Sequence, residues 1–116
     1  MEKHAWMNLL YDFYGQLLTE KQRRLMEMYY AGDLSLGEIA EQLRISRQAV
    51  HDVLRRCQRT LLRYEEKLGL VARYLQQREQ LQQARRLLQE TLTVNRQPEL
   101  VEYLARLHRL LEDVQV

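Results

Sequence analysis

Six side chains in one short run have the types and spacing to hold a polyanion: Ser46, Arg47, Gln48, His51, Arg55 and Arg59. On a helix that begins after Ser46, residues 46–48, 51 and 55 share the outward face with Asp52. Arg59 and Arg63 can extend the same track one turn at a time, or pair with Glu66, or simply be solvated. Arginine and glutamine donate hydrogen bonds to phosphate or to base edges, and His51 does so when protonated or in the right tautomer. The Ser46 hydroxyl can cap the helix, and a helix start places free N–H groups beside any phosphate that approaches.

Such a row needs a scaffold that holds it outward, and residues 36–55, LGEIAEQLRISRQAVHDVLR, supply one. Their apolar positions fit two short helices meeting at a steep angle: Ile39, Ala40 and Leu43 on the first, Ile45 in the turn, and Val50, Val53 and Leu54 on the second. That is a helix-turn-helix pattern. Ala40 is small enough for the close crossing, Leu43 closes the first helix and Ile45 tucks beneath it. The turn residue is Arg44, where glycine is favoured because the chain there commonly takes positive φ. Left-handed backbone at a non-glycine residue costs on the order of 1 kcal/mol.

The chain has 116 residues with four Gly and one Pro, so its composition favours helix nearly throughout and an all-α fold is expected. The formal net charge is only +2, but residues 44–63 hold six arginines against one acid. The basic character is therefore concentrated in and just after the second helix of the motif. A single cysteine, Cys57, excludes an internal disulfide and suits a reducing compartment. No apolar run approaches the roughly 20 residues that span a bilayer. With no secretory signal in MEKHAWMNLL, a soluble cytoplasmic protein is expected.

Along the chain, Trp6, Leu9, Leu10 and Phe13 predict a first helix over about residues 2–14, with these side chains as core anchors and Gly15 as its end. Thr19 and Gln22 form a capping box for a second helix, whose inner stripe is Leu25, Met26 and Tyr29 and whose stop is Gly32. Ser35 and Glu38 repeat the box at the first motif helix. Nothing after Ser46 breaks the next helix before Gly69. The domain organisation expected is a helix-turn-helix domain over residues 1–68 and a helical hairpin extension over 69–116. In the hairpin, Leu70, Tyr74, Leu81, Ala84 and Leu88 form one seam. A second, Leu100, Leu104, Leu107, Leu111 and Val114, follows Pro98, and the short link over residues 93–97 folds the two back antiparallel. Leu75, Leu87, Leu92, Tyr103 and Leu110 fall off these seams, which argues for a homodimer or for packing on the rest of the chain.

Other chemistries lack their residues. His4, His51 and His108 fall on separate helices with no Cys or carboxylate at ligand spacing, so no metal or other cofactor is expected. No glycine-rich loop opens a helix as a phosphate cradle. The acidic pairs 65–66 and 112–113 are adjacent and point apart on a helix. Cys57 has no acid or histidine partner at helical spacing, so it is read as a small apolar filler. No catalytic constellation emerges, and the chain is not read as an enzyme.

The motif and its arginine-rich continuation resemble the fourth conserved region of bacterial sigma factors, whose helix-turn-helix reads the −35 promoter element. The wider run is similar to the YlxM family of small helix-turn-helix proteins over about residues 2–71, through DFYG, LLTEKQ, DLSLGEIAE and SRQAV. Genes of that family typically neighbour those of the signal recognition particle and its receptor. The resemblance therefore implies an accessory role in protein targeting, through RNA or the targeting GTPases. From the sigma-factor likeness, Arg47 and Gln48 match reading positions and His51 a basic one. Ala49 and Asp52 depart from it, and an acid at 52 repels phosphate. Two other roles stay open: a dimeric DNA-binding transcription regulator with Ser46, Arg47 and His51 in a major groove, and a helical module docking on an acidic protein.

Overall fold

The computed structural model describes residues 1–114, and every regular element among them is helical. The order is α1 (Lys3–Tyr14), a 3-10 turn (Gly15–Leu17), α2 (Glu20–Tyr30), α3 (Leu36–Leu43), α4 (Arg47–Leu68), α5 (Leu70–Val94) and α6 (Pro98–Glu112). The chain divides into two compact units, Met1–Val71 and Ala72–Val116.

Local chemistry starts the helices of the first unit. In α2 the Gln22 N–H donates to Thr19 Oγ1 at 3.2 Å, while the Thr19 N–H donates to Gln22 Oε1 at 3.0 Å. The same reciprocal pair opens α3 between Ser35 and Glu38, both bonds at 3.1 Å. There the Ser35 backbone N–H, followed by its hydroxyl, holds the Glu38 carboxyl below its usual range. Ser46 caps α4 by accepting from the Ala49 N–H at 3.0 Å. Each cap of this kind stabilises its helix by about 1 kcal/mol. Between α3 and α4, Arg44 takes φ 57° and ψ 45°, the left-handed turn expected of it. The N–H groups of Arg44 and Ile45 then both reach the Ala40 carbonyl, the latter at 3.1 Å.

α4 is the spine on which α1, α2 and α3 all pack. Its buried residues are Val50, Leu54, Cys57 and Leu61, one apolar stripe along the helix. Against it lie Met7, Leu10 and Tyr14 of α1, Leu25 and Met26 of α2, and Ile39 and Ala40 of α3, all buried. Burying one such aliphatic side chain contributes roughly 1.5–3 kcal/mol. The spine runs unbroken for 22 residues until Gly69 turns left-handed at φ 62°.

Some expected core positions lie elsewhere. Of the four α1 anchors only Leu10 is fully buried; Trp6 and Leu9 are half-buried and Phe13 is 38% exposed. The inward face is Met7, Leu10 and Tyr14 because the Tyr14 hydroxyl donates to Glu65 Oε1 at 2.6 Å and accepts the Leu70 N–H at 3.1 Å. The same carboxylate oxygen takes the Val71 N–H at 2.9 Å, so one buried tyrosine ties α1 to the α4–α5 junction. Burial, together with the Glu65 carboxylate, pushes the Tyr14 phenol up. In the motif, Ile45 does not tuck under α3: it is 38% exposed, and Leu43 and Val53 are half-buried. Gly15 follows α1 but keeps ordinary right-handed backbone, φ −57°. A Cβ there would sit 2.9 Å from the Tyr11 ring, so any other residue requires that ring to shift. Gly32 is likewise not the left-handed stop of α2; Asp33 takes that conformation at φ 54°, and a Cβ on Gly32 would lie 2.8 Å from the Met28 carbonyl oxygen.

In the second unit the C-terminal end of α6 returns to Arg85 of α5. The Arg85 guanidinium donates to the Leu111 carbonyl at 2.6 and 3.1 Å and to the Val114 carbonyl at 3.1 Å. A cation there satisfies carbonyls left open at a helix C-terminus. Leu88 is buried and Leu81, Leu104 and Leu111 are half-buried. Leu100, Leu107 and Val114 of the expected seam stay exposed, as do Leu87, Tyr103 and Leu110 off it.

Two substitutions test this packing. Val50→Asp buries an unpaired charge in the spine, and circular dichroism should show loss of the cooperative melt; a melt like the parent's contradicts the packing. Arg44→Gly relieves the left-handed backbone, so urea unfolding should give a gain of up to about 1 kcal/mol.

Candidate nucleic-acid interface

Because the inner stripe of α4 is fixed by the core, its opposite side must face outward, and the basic residues lie there. Gln48, His51, Asp52, Arg55, Arg56 and Arg59 line one surface recess of about 290 Å³. Four residues singled out from the sequence, Gln48, His51, Arg55 and Arg59, thus come together. Ser46 and Arg47 stand outside this lining. The Ser46 hydroxyl is engaged as the cap, and the Arg47 guanidinium lies across Gly37 of α3, where a Cβ would be 2.9 Å from its Nε and Nη2.

Gly37 is therefore a residue that the sequence reasoning missed. Its signal was a glycine inside a short helix, a position that costs about 1 kcal/mol relative to alanine. Arg56, also missed, joins the recess because it follows Arg55 around the helix.

The electrostatics of the recess are uneven. Asp52 accepts from Gln48 Nε2 at 2.9 Å, so one of the two Gln48 amide N–H donors is engaged one turn away. His51 Nδ1 lies 3.7 Å from the same Asp52 oxygen. That nitrogen is shielded from solvent and has no hydrogen-bond partner. Arg55, Arg56 and Arg59 are exposed, and among the described residues no carboxylate lies within ion-pair distance of them. One end of the row is thus partly neutralised, and the other presents three unpaired guanidinium groups. Cys57, on the buried side of the same helix, has its thiol pushed up by burial, the opposite of what a nucleophile requires.

Among the described residues no group of three or more His, Cys, Asp or Glu side chains could hold a metal ion. Nor is any described helix long and apolar enough to cross a membrane.

Residues 1–104 match the model of the UPF0122 family, described as helix-turn-helix protein, YlxM / p13 like. A UPF0122 protein of Thermoanaerobacter pseudethanolicus is 45% identical over 109 residues, covering 94% of this chain and 93% of the relative. One from Geobacillus kaustophilus is 57% identical over 79 residues, covering 68% and 72%. One from Desulforamulus reducens is 56% identical over 81 residues, covering 70% and 69%.

If Asp52 restrains this surface, Asp52→Asn should tighten binding of a nucleic-acid hairpin by about fivefold at low salt, since one like charge facing phosphate is removed. Fluorescence anisotropy measures it; weaker or unchanged binding places the phosphate path elsewhere.

Proposed function

Because the chain belongs to the UPF0122 family of YlxM / p13-like helix-turn-helix proteins, we propose that it binds structured RNA through the outward face of α4, as an accessory protein of the signal recognition particle pathway. Ser46, Arg47, Gln48, His51, Arg55 and Arg59 form the contact surface, extended by Arg56. The observation that carries this reading is the unpaired file of Arg55, Arg56 and Arg59 on a rigid, solvent-facing helix. Guanidinium groups without internal partners are free to neutralise phosphates, and counterion release then drives binding.

RNA is favoured over a promoter by the side chains at the reading positions. Gln48 is held by Asp52, and an acid sits where base edges or phosphates would approach. What is left suits backbone and shape recognition, the mode by which proteins bind RNA helices. The pathway assignment is supported by the resemblance to YlxM proteins, and the targeting GTPases are the protein partners it suggests. A homodimer through the exposed apolar side chains of α6 fits the same reading, and the protein acts without catalysis in the cytoplasm. The second reading is a DNA-binding transcription regulator, favoured by the capped α4 N-terminus, which helix-turn-helix proteins direct into a major groove.

Affinity for a structured RNA hairpin should fall linearly with the logarithm of salt and exceed affinity for mixed-sequence duplex DNA at equal salt. Replacing Arg47 and Arg55 by Ala should weaken hairpin binding by more than tenfold and lower the salt slope by roughly 2, with the thermal melt unchanged. Tighter binding to the duplex selects the transcription reading; unchanged binding in the variant removes the α4 face from the account.

A further inference from the structure

A second recess in the first unit lies on the third side of α4. Leu25 of α2, Leu43, Ile45 of the turn, and Ala49 and Val53 of α4 line it, with a volume of about 450 Å³. Its charged lining residues are Lys21, Arg24 and Arg56, and no acidic side chain lines it. None of the three cations is within ion-pair distance of a carboxylate among the described residues.

The apolar part explains why Ile45, Leu43 and Val53 are not buried: they form the floor and wall of an open trough. Lys21 and Leu25 are one turn apart on α2, and Ala49, Val53 and Arg56 follow successive turns of α4. A trough between two helices, with walls repeating at three and four residues, has the form that accepts the ridge of a third helix.

We propose that this trough docks an acidic amphipathic helix of a partner protein. Leucine-like side chains of that helix enter between Leu25, Ile45 and Val53, and its flanking Asp or Glu residues meet Lys21, Arg24 and Arg56. The occupant follows from charge complementarity: an apolar floor selects an apolar stripe, and a purely cationic rim selects acidic neighbours and rejects basic ones. The surface is distinct from the RNA face in all but Arg56, which borders both.

The test uses the full chain and a fluorescein-labelled peptide about 15 residues long, with Leu at helical spacing of three and four and Glu on both flanks. A scrambled peptide of the same composition serves as the control. Ile45→Ser and Arg24→Glu change exposed side chains, and circular dichroism confirms that each variant folds. Binding by anisotropy is expected for the parent, at least about tenfold weaker for the scrambled peptide and for each variant. A peptide with Lys in place of Glu should bind Arg24→Glu better than it binds the parent. Ile45→Ser, which changes no charge, should leave RNA-hairpin affinity unchanged, and Arg24→Glu should lower it by much less than it lowers peptide binding, which separates this site from the RNA face. Failure of the Leu/Glu peptide to bind the parent, equal binding of the scrambled peptide, or no loss in the variants overturns the proposal. Equal loss of hairpin binding in the variants assigns the trough to RNA instead. Conversion of a dimer to a monomer by Ile45→Ser in sedimentation assigns it to a second copy; either result also overturns the proposal.

Discussion

The left-handed backbone at Arg44 sets the path of the chain from α3 into α4. It brings the Ile45 N–H back to the Ala40 carbonyl at 3.1 Å and delivers Ser46 in extended conformation, φ −73° and ψ 156°, ready to cap the next helix. With that turn in place, α3 packs on α4 with Ile39, Ala40, Val50 and Leu54 all buried. Once those residues face inward, helical periodicity leaves no choice about what faces outward. The arginine row is exposed because the apolar stripe beside it is buried.

α4 thus presents three longitudinal sides with different chemistry. One is wholly apolar and holds α1, α2 and α3. The next is basic, tempered at its first turn by Asp52. The third is apolar at the floor and cationic at the rim. A 22-residue helix is about 33 Å long at 1.5 Å per residue, and three packed helices hold it in place. Such rigidity keeps the ordering cost of a polyanion contact low, since the scaffold is already organised.

Much of this order could be read from the sequence wherever local chemistry decides. The caps at Thr19, Ser35 and Ser46 name their own partners three residues on, and the apolar spacing around Ala40 and Val50 admits few other packings. Legibility ended where distant groups decide. Trp6 and Phe13 looked like anchors by size, but Tyr14 is the buried one because Glu65 and the Leu70 N–H, far along the chain, satisfy its hydroxyl. Residue type marked Ile45 and Val53 as apolar without revealing that Ile45 stays exposed and Val53 only half-buried along the wall of a recess. At the candidate site, residue types gave the basic face, but the bond that occupies Gln48 depends on rotamers, and the passage of Arg47 over Gly37 depends on the angle between two helices.

A polyanion lying along the outward side of α4 would reveal itself when the isotope-labelled protein is titrated with an RNA hairpin and backbone amide shifts are followed by NMR. Perturbations should cluster over residues 46–59 and at Gly37, where Arg47 rests, and should fade as salt is raised. Shifts confined to α5 and α6, with residues 46–59 unmoved, would contradict the account.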